Sequence, residues 1–310
     1  MSARVCAIVV SWNTRELLRD CLAALTAPGS GAPGVICIDN GSADGSATLV
    51  EREFPSVALV ANRDNVGFAR GVNQGIALAM ERHAPEYVAL VNSDVVVGPA
   101  TLGTLVAWMA ERPDVAAVGP ALRLPDGRLQ TGAAGFTPTA WSGICQFLFL
   151  SALTRGWCRG FVVEQRRHAG RAEPVPVDWV SGACMVVRAA AIRRVGPLDG
   201  RFFMYAEDIE WCERMRRAGL SVCYLPAVEV VHRHGASGSR ADPRWLAATC
   251  ELVRRERGRL EYLIFRSAAA VGLAARRLVY GLAYLASRQE RYRRLAADMG
   301  AYARWAIGRG

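Results

Sequence analysis

The sequence predicts an α/β fold, with helices on both faces of a parallel sheet, followed by a helical, Arg-rich extension. In the first 120 residues, short apolar runs alternate with stretches of helical periodicity four times, as in strand–helix units. Polar residues gather directly after the apolar runs, where parallel strands would end. From Trp245 onwards the pattern is helical and interrupted by arginines.

The first five predicted strands are short apolar runs without alternation, which is typical of strands buried on both faces. They cover residues 5–10, 35–38, 57–60, 88–91 and 115–118. Helical spacing between them predicts helices over residues 14–25, 44–54, 68–80 and 99–110, the first capped by Thr14. Residues 29–34, GSGAPG, have the spacing of a dinucleotide-binding loop. They follow a helix and precede a strand, so we interpret them as an ordinary loop.

Residues 129–154 contain no charged side chain. The segment is long enough to span a bilayer, but its glycines and Pro138 make it a poor transmembrane helix. Two interpretations stay open: a partly buried loop with a short apolar helix over 141–153, or a flexible apolar lip near an acceptor site. The remaining pattern predicts strand–turn–strand over 175–187, a helix within 202–219 and a strand over 220–225.

The positive charge is concentrated in the last 70 residues. All 38 basic residues are arginines, and the net charge is +10. Residues 241–310 hold 14 arginines and 6 acidic residues, a net of +8, which suggests an anionic lipid or nucleic-acid partner. The longest uncharged run there, 278–287, has ten residues. We therefore expect no membrane-spanning helix in the extension, but basic amphipathic helices lying on an anionic membrane surface.

Cysteine usage and the amino terminus predict the compartment. The nine cysteines are scattered without a CxxC pair, as in a protein with reduced, buried thiols. Residues 7–10 lead directly into polar sequence, so no signal peptide is predicted. We expect a cytoplasmic protein associated peripherally with the inner face of the membrane. The extension has no nucleic-acid-binding module or aromatic stacking pattern, so nucleic acid is not an expected partner.

Polar residues follow each of the first four predicted strands: Ser11, Asn13, Asp39, Asn62, Asn65, Asn92 and Asp94. In open α/β sheets, ligands bind beyond the carboxyl ends of the strands. A carboxylate at that edge suits a hydrated cation and the phosphates that it neutralises. Gly67 lies near a predicted helix start, where backbone N–H groups can face an anion. Asx turns are the alternative for any one of these residues, but their repetition favours a nucleotide-binding site.

Six segments, in one order across about 240 residues, resemble the family 2 glycosyltransferases with the GT-A fold, and within them the rhamnosyltransferase-like branch. They are IVVSWNT (8–14), IDNGSADGS (38–46), NRDNVGFARGVNQGI (62–76), LVNSDVVV (90–97), residues 177–220 and VVHRHGASGS (230–239). The resemblance implies a Rossmann-like mixed sheet in a GT-A domain over 1–240, with a nucleotide-sugar half (1–120) and an acceptor and catalytic half (121–240). Residues 241–310 would form the basic helical tail.

The resemblance also implies the donor site. The residue that matches Asp39 bonds a pyrimidine base in the family. The implied nucleotide-sugar-binding set is Ser11, Asn13, Asp39, Asn65, Gly67, Asn73, Asn92 and Ser93. Asp94 matches the aspartate of the DxD-type motif that ligates Mg²⁺ or Mn²⁺, and His232 matches a position that can approach the metal or the phosphates. Asn92 stands where DxD enzymes carry their first acid, which puts strict metal dependence in question.

Asp208 matches the general base of the family, and Glu207 would position or assist it. Inversion at the anomeric carbon requires a carboxylate that takes the acceptor proton as the diphosphate leaves. The structural alternative is a pair of acids in a first helical turn, where they favour the helix dipole. Asp178 and Trp179 fall where acceptors bind in relatives.

The expected reaction moves L-rhamnose from dTDP-rhamnose to a hydroxyl of a lipid-linked or cell-envelope glycan. One alternative is a UDP-sugar donor carrying N-acetylglucosamine, glucose or galactofuranose. A second alternative is a non-catalytic nucleotide-sugar-binding scaffold, for which Asn92 is the one supporting residue.

Overall fold

The computed structural model describes residues 5–32, 34–154, 157–163, 173–233 and 242–308. These residues form two compact units. The first contains the described residues up to Gly135 and those from Val163 to Arg233. The second contains those from Phe136 to Val162 and from Asp242 onwards. Residues 136–154 of the uncharged segment therefore group with the C-terminal helices.

The elements alternate between strand and helix through most of the first unit. In chain order they begin with β1 Val5–Ser11, α1 Arg15–Thr26, β2 Gly34–Asp39, α2 Ser46–Glu53, β3 Ala58–Ala61, α3 Phe68–Arg82, β4 Tyr87–Asn92, β5 Val95–Val96, α4 Thr101–Ala110, β6 Val115–Arg123 and β7 Ala134–Gly135. They continue with α5 Ala140–Phe147, α6 Leu150–Leu153, β8 Val175–Val177, β9 Trp179–Val180, β10 Cys184–Arg188, α7 Ala189–Val195, α8 Glu207–Arg217, β11 Ser221–His232, α9 Arg244–Arg257, α10 Arg259–Ser287 and α11 Glu290–Ala306.

The main sheet has the strand order β3-β2-β1-β4-β10-β6-β11-β5, with β8 added against β11. Strands β1 to β4 are parallel to their neighbours in this group. Strand β10 runs antiparallel between β4 and β6. The α/β prediction is confirmed, and the sheet is mixed, as the GT-A resemblance implied. Local periodicity alone indicated a purely parallel sheet. It could not reveal the antiparallel strands, because strand order depends on pairing between distant segments.

The apolar runs are buried as predicted. Every residue of β2 is buried, and so are the first five residues of β4. Helix α1 covers the sheet with Leu18 and Leu22, and α4 contributes Leu102 and Leu105, all four fully buried. Strands buried on both faces of a parallel sheet lack alternation for this reason.

The second unit has its own apolar core, formed by α5, α9, α10, α11 and the segment after α6. Its centre is a cluster of three rings, Phe147, Phe161 and Phe265, with centroids 5.4–5.6 Å apart. The helix predicted over 141–153 is two helices, because Phe149 takes a left-handed φ of 64° between them. Thr139 starts α5 with a capping box. The prediction of a short apolar helix within a partly buried segment is therefore confirmed, with a break.

Helix α10 runs unbroken for 29 residues. Among the described residues it is the one helix that is long and apolar enough to cross a membrane. Its most apolar 18-residue window has a mean hydropathy of 1.2, and 22% of that window is buried. This corrects our expectation that no helix of the extension would qualify. Arg276 and Arg277 interrupt the uncharged run, but they do not interrupt the helix.

Candidate active site

The carboxyl ends of β1, β2 and β4 lie side by side at one edge of the sheet. In the parallel register Ser11 pairs with Asp39, and Val10 pairs with Asn92. Neighbouring strands are about 4.8 Å apart, so the residues that end these three strands fall within roughly 10 Å of one another. The structure thus brings together polar residues that the sequence predicted to share this edge.

Asp39 is buried and only half satisfied. Its Oδ2 accepts a hydrogen bond from the backbone N–H of Ser42 at 2.9 Å. Its Oδ1 is buried and has no hydrogen-bond partner among the described residues. A buried acceptor without a partner is costly, and its place at the carboxyl edge of the sheet fits a ligand that brings its own N–H.

A chain of three buried hydroxyls connects β1 to the end of β4. Thr14 lies between Ser11 (Oγ to Oγ1, 3.0 Å) and Ser93 (Oγ1 to Oγ, 2.8 Å). Thr14 occupies the N-cap position of α1 as predicted, but its side chain makes no capping hydrogen bond, because its hydroxyl is used in this chain. The backbone N–H of Arg15 at the start of α1 donates instead to Asp44 Oδ2 at 2.8 Å. A cap from another loop leaves no local sequence signal, which is why the pattern pointed to Thr14.

Asn13 joins the loops that follow β1 and β2. Its φ of 53° is left-handed, which asparagine tolerates better than most residues. Its backbone N–H donates to Ser42 Oγ at 2.9 Å, and its Oδ1 accepts from the N–H of Ala43 at 2.8 Å. In this structure Asn13 fixes the loop that carries Ser42, the residue whose N–H bonds Asp39.

Asn65 and Gly67 shape the turn before α3. Asn65 Oδ1 accepts from the N–H of Gly67 at 2.9 Å. Gly67 has a φ of +88°, and a Cβ there would lie 2.6 Å from the carbonyl oxygen of Phe203. The N–H of Phe68 donates to that same oxygen at 2.7 Å. The first turn of α3 is thus occupied by the backbone of the segment that precedes α8, a contact that the sequence did not reveal.

Asn73 makes a second tie between α3 and the same segment. Its Nδ2 donates to the carbonyl of Leu198 at 2.8 Å, and its Oδ1 accepts from the N–H of Leu198 at 2.9 Å. This paired contact makes Asn73 a positioning residue in the structure. Its contact with a nucleotide stays a prediction.

Asn40 was missed from the sequence. It is buried, its Nδ2 donates to the carbonyl of Gly67 at 3.1 Å, and its Oδ1 accepts from Asn62 Nδ2 at 2.9 Å. It therefore links the ends of β2 and β3 to the turn before α3. The available signal was its place directly after Asp39 in the second polar segment.

Asp94, two residues after the end of β4, pairs with the buried ring of His232. Strand β5 pairs with β11 in a register that sets Val95 opposite His232. As a result His232 Nε2 lies 3.0 Å from Asp94 Oδ1. The other ring nitrogen, Nδ1, lies 2.8 Å from Oε1 of Gln130, a residue that the sequence did not single out. Part of the sixth motif, residues 234–239, lies outside the described residues.

The donor set at this position fits a divalent cation that arrives with a diphosphate. Among the described residues there is no group of three or more His, Cys, Asp or Glu side chains that could hold a metal by itself. The available donors are the Asp94 carboxylate, the His232 ring and Asn92 Oδ1, which is buried and lacks a partner among the described residues. Mg²⁺ typically uses one or two carboxylates together with substrate phosphates, so this set is adequate for a metal–nucleotide complex.

Asp208 lies at the start of α8 and remains partly exposed to solvent. Its Oδ2 accepts from the N–H of Gly182 at 2.9 Å, and its Oδ1 accepts from the N–H of Ile209 at 2.8 Å. Burial raises the pKa of this carboxyl above its usual range, while the two N–H groups act in the opposite direction. A carboxylate held by its backbone neighbours and raised in pKa is suited to accept a proton.

Glu207 is the buried partner of this pair. Its Oε2 lacks a hydrogen-bond partner among the described residues. Burial, followed by the charge on Asp208, raises the pKa of Glu207 well above its usual range. Tyr205 and Ala206, directly before it, both have left-handed φ values, 71° and 64°. Two consecutive non-glycine residues in this region store backbone strain of the kind that clusters at functional sites.

The turn between β9 and β10 connects the proposed base to the donor side. Gly182 bonds Asp208, and the carbonyl of the next residue, Ala183, accepts from the backbone N–H of Asn92 at 2.9 Å. Two adjacent residues therefore hold the start of α8 and the end of β4 in fixed relation. Apart from their place in the long fifth motif, no sequence feature singled out these two residues.

The two predicted acceptor residues differ in exposure. Asp178 forms an ion pair with Arg216, Oδ1 to NH2 at 3.0 Å, and its side chain is 24% exposed. Trp179 pairs with Gly135 in the small sheet and is 5% exposed, so its indole offers an acceptor little surface. Acceptor binding by either residue stays a prediction, and the geometry favours Asp178.

Two further acidic residues of α8 are covered by the fold. Glu210 and Glu213 are buried. They form i,i+4 ion pairs with Arg214 and Arg217 at 2.7 and 2.8 Å. The helix packs closely enough to cover both carboxylates, and the pairing offsets the cost of their desolvation.

Comparisons with known sequences agree with this geometry. Residues 3–258 match the profile of the family described as Glycosyltransferase like family 2. The N-acetylglucosaminyl-diphospho-decaprenol L-rhamnosyltransferase of Mycobacterium tuberculosis (strain ATCC 25618 / H37Rv) is 30% identical over 248 residues, which cover 78% of this chain and 80% of that protein. Rhamnosyltransferase WbbL of Escherichia coli (strain K12) is 43% identical over 56 residues, 18% of this chain and 21% of that protein.

Among solved structures, the mannosyltransferase PcManGT from Pyrobaculum calidifontis, in complex with GDP-Man and Mn²⁺, is similar with a TM-score of 0.63 and 17% identity. The match covers 100% of this chain and 87% of that one. GalNAc-T7 with UDP, GalNAc and Mn²⁺ is similar with a TM-score of 0.58 and 13% identity, over 81% of this chain and 48% of that one. At these identities the likeness shows a shared fold.

Proposed function

The chain belongs to the glycosyltransferase-like family 2 and is a glycosyltransferase, and from this premise we propose that it moves L-rhamnose from dTDP-rhamnose, with inversion, to a hydroxyl of a lipid-linked or cell-envelope glycan. The observation that carries the proposal is the similarity to an L-rhamnosyltransferase over 78% of the chain. The buried Oδ1 of Asp39, which has no hydrogen-bond partner in the part of the chain that the structure describes, supports a pyrimidine nucleotide as the donor.

Asp39 Oδ1 would accept the N3–H of the base. Thymine and uracil both carry this proton, whereas neutral cytosine has an acceptor at the same position. The backbone N–H of Ser42 holds the second oxygen, so the carboxylate is fixed in place. This contact would select dTDP and UDP over CDP. It does not separate the first two, so UDP-sugars remain the alternative donors.

Asp208 would act as the general base. Its carboxylate takes the proton of the acceptor hydroxyl while that oxygen forms a bond to the anomeric carbon and the bond from that carbon to the diphosphate breaks. The N–H groups of Gly182 and Ile209 orient the carboxylate. Glu207, whose pKa is raised further, would stay protonated beside it, so that a second negative charge does not compete for the proton.

Asp94 and His232 would hold the divalent cation, with Asn92 Oδ1 as a further oxygen ligand. When bound, Mg²⁺ or Mn²⁺ supplies positive charge that stabilises the departing diphosphate. Gln130 orients His232 through Nδ1, and the Ser11–Thr14–Ser93 hydroxyl chain fixes the backbone before Asp94. One carboxylate at this position makes the site dependent on the phosphates for affinity.

The protein would work at the cytoplasmic face of a membrane. Its nine cysteines are free thiols in the structure, eight of them buried, which suits a reducing compartment. The net charge of +8 in residues 241–310 suits an anionic lipid surface on which a lipid-linked acceptor would be presented.

A donor screen tests the proposal. The purified full chain is titrated with dTDP-, UDP- and GDP-sugars in the presence of Mn²⁺ or Mg²⁺, and heat of binding and nucleotide release are recorded. We expect dTDP-rhamnose to bind and hydrolyse best. A preference for a UDP-sugar would keep the mechanism and overturn the rhamnosyl assignment. Binding without hydrolysis or transfer of any donor would favour the scaffold.

The base contact has its own test. In Asp39→Asn the side chain can donate a hydrogen bond at the position where it now only accepts. We expect the ratio of dTDP to CDP affinity to fall by at least about tenfold, since one bonded pair becomes mismatched. Asn62→Asp, a change at the same edge, serves as the control for altered charge. An unchanged ratio would remove Asp39 from base recognition.

A further inference from the structure

The solvent-facing side of α10 is apolar along most of the helix. Eight large apolar side chains on it are between 38% and 74% exposed: Leu260, Leu263, Ile264, Val271, Leu278, Val279, Leu282 and Leu285. Helices of water-soluble proteins normally place such residues against the core and charged residues outward. In α10 the apolar residues occupy both sides, since Phe265, Ala269 and Leu273 fill the core of the second unit.

Most of the exposed residues form one stripe. At 100° per residue, Leu260, Ile264, Val271, Leu278 and Leu285 fall within a narrow sector, which also takes in Leu263 and Leu282. From the first to the last of them the stripe is about 38 Å long at 1.5 Å per residue. The helix carries five charged residues, and all of them point outside the sector: Arg259, Glu261, Arg266, Arg276 and Arg277.

The stripe continues onto the neighbouring helices α5 and α6. A shallow groove is lined by Ile144 and Leu148 on one side and by Leu263, Ile264 and Val271 on the other. Further large apolar side chains on and after α5 are also exposed: Trp141 (59%), Phe149 (39%), Leu153 (75%) and Trp157 (94%). Exposed apolar surface of this extent marks a protein or membrane interaction site. Exposed tryptophans are enriched where a surface meets the headgroup layer of a bilayer.

Charge selects lipid as the occupant over a second copy of the chain. Residues 241–310 carry a net charge of +8, so two copies that faced each other through this unit would repel. An anionic headgroup layer is complementary to the same charge. Arg259 and Arg277 are exposed beside the stripe, which is the pattern of a helix that lies in a membrane interface. Arg266 and Arg276 instead bond backbone carbonyls within the second unit.

The packing of α10 opposes a transmembrane orientation. Its inner face is buried against α9 and α11, and those helices carry arginines such as Arg254 on α9 and Arg294 on α11. To cross a bilayer, α10 would have to leave this core or take these charges with it, and either is costly. Lying flat requires neither.

We propose that the α10 stripe and the exposed residues of α5 and α6 form a docking face that lies in the interfacial layer of an anionic membrane. The inference rests on the proposed function in one respect, since the membrane would present the lipid-linked acceptor. The proposed contact involves more than the basic charge of the tail. The leucines of the α10 stripe and the exposed residues of α5 and α6 enter the interfacial layer, and arginines flank them.

Vesicle flotation of the full chain tests the docking face. Vesicles of equimolar phosphatidylcholine and phosphatidylglycerol are compared with pure phosphatidylcholine. The double variant Leu278→Gln/Leu282→Gln changes two side chains of the stripe that make no part of the core. We expect its affinity for the anionic vesicles to be at least about tenfold weaker than that of the unmodified chain. The control is Leu295→Gln, the same change at an exposed leucine of α11, which should float normally.

Three outcomes would overturn the proposal. The double variant could bind anionic vesicles as tightly as the unmodified chain, or the unmodified chain could bind both kinds of vesicle equally. The bound protein could also resist a carbonate wash, which would indicate a spanning helix. A dimer in solution that the double variant dissociates would assign the face to a second copy. The proposal is supported if the double variant loses binding, Leu295→Gln floats normally and a carbonate wash releases the bound protein.

A second measurement separates this inference from the proposed function. Hydrolysis of dTDP-rhamnose in solution needs no membrane, so the double variant should retain it. Flotation without hydrolysis of any donor would leave the docking face standing and overturn the donor assignment. Hydrolysis of dTDP-rhamnose without flotation of the unmodified chain would support the donor assignment and overturn the docking face.

Discussion

At the residue scale, two adjacent carboxyls at the start of α8 divide into different roles through their surroundings. Asp208 is partly exposed and accepts two backbone hydrogen bonds, whereas Glu207 is buried with one oxygen lacking a partner among the described residues. Burial raises the pKa of both, and the charge on Asp208 raises that of Glu207 further. The surroundings therefore disfavour a charge on Glu207 more than on Asp208, which fits Asp208 as the base.

Asp208→Asn should abolish transfer while leaving donor binding intact. The amide oxygen can still accept from Gly182 or Ile209, but it cannot take a proton, so we expect the turnover number to fall by about 10²–10⁴-fold. Calorimetry with the nucleotide measures binding, and a coupled assay of diphosphate release measures turnover. Asp114→Asn, at an exposed carboxylate bonded to Ser221, is the matched control. Turnover within a few-fold of the unmodified enzyme would exclude Asp208 as the base.

The raised pKa of Glu207 predicts how the stability of the folded protein depends on pH. Its pKa is raised in the folded state, so between about pH 4.3, where it titrates in an unfolded chain, and its folded pKa the folded protein holds the additional proton. Unfolding therefore becomes more favourable as pH rises through this window. Glu207→Gln should flatten that slope and raise the melting temperature at neutral pH. Asp208 contributes in the same direction and remains.

The control for this measurement is Glu213→Gln, which removes a buried carboxylate that is paired with Arg217. Because that charge has a partner, its loss should not raise the melting temperature. Scanning calorimetry from acid to neutral pH gives both slopes. Equal slopes for Glu207→Gln and the unmodified chain would show that Glu207 does not carry the stability penalty.

Asn92→Asp should strengthen the cation site. The amide oxygen of Asn92 is buried without a partner among the described residues, close in sequence to Asp94. A carboxylate there adds a charged ligand, so we expect Mn²⁺ to bind about tenfold more tightly in the presence of dTDP. Electron paramagnetic resonance of free Mn²⁺ reports this without an activity assay. Asn62→Asp controls for added charge at the same edge, and equal gains in the two variants would argue that Asn92 is not a ligand.

At the scale of elements, the start of α3 and the segment before α8 are built as one piece. Gly67 approaches Phe203 so closely that no side chain fits, and Asn73 bonds both backbone groups of Leu198. The donor-side helix α3 thereby sets the position of the turn from which the proposed base emerges. Local sequence predicted both helices and their starts, but the contact between them depends on residues more than 120 positions apart.

Gly67→Ala should disturb this joint. The new Cβ would lie 2.6 Å from the Phe203 carbonyl, and the φ of +88° is strained for alanine, so we expect a loss of at least about 1–2 kcal/mol in the free energy of unfolding. Turnover should fall as well, because the turn before Asp208 moves. Urea denaturation and the coupled assay measure the two effects.

The matched control is Gly103→Ala within α4, where a Cβ would meet nothing within 4 Å and the φ is ordinary. Alanine is the better helix former, so this variant should be more stable by about 0.5–1 kcal/mol. A Gly67→Ala enzyme as stable and active as the control would show that the close approach to Phe203 is not required.

At the scale of the whole molecule, composition predicts chemical behaviour that the structure specifies further. The chain has nine cysteines, and in the structure eight are buried and Cys158 is partly exposed. Burial raises the pKa of Cys184 and Cys212 to about 12, so neither is a reactive thiolate at neutral pH.

Titration with a thiol reagent should therefore modify no more than one cysteine rapidly in the native protein, and all nine after denaturation. Cys158→Ser should remove the fast phase. Several fast-reacting thiols in the native protein would mean that the buried cysteines open readily, and fewer than nine after denaturation without reductant would reveal a disulfide. Mass spectrometry after labelling assigns the sites.

The sequence by itself determined the α/β class, strands β1 to β4 and β6, and the polar residues that end the first four of these strands. These features depend on local periodicity and on the rule that parallel strands present their carboxyl ends at one edge. It also placed the acidic pair in the first turn of α8. Its errors were local as well: the Thr14 side chain makes no capping bond at the start of α1, and the helix over 141–153 is broken at Phe149.

Only the tertiary structure decided the insertion of β10 between β4 and β6, the pairing of Asp94 with His232, and the contact of Gly182 with Asp208. It also showed that α10 exposes leucines where periodicity alone predicted a basic face. These features depend on pairing and packing between segments far apart in the chain. Local patterns fix which side of an element is apolar, but they do not fix what that side meets.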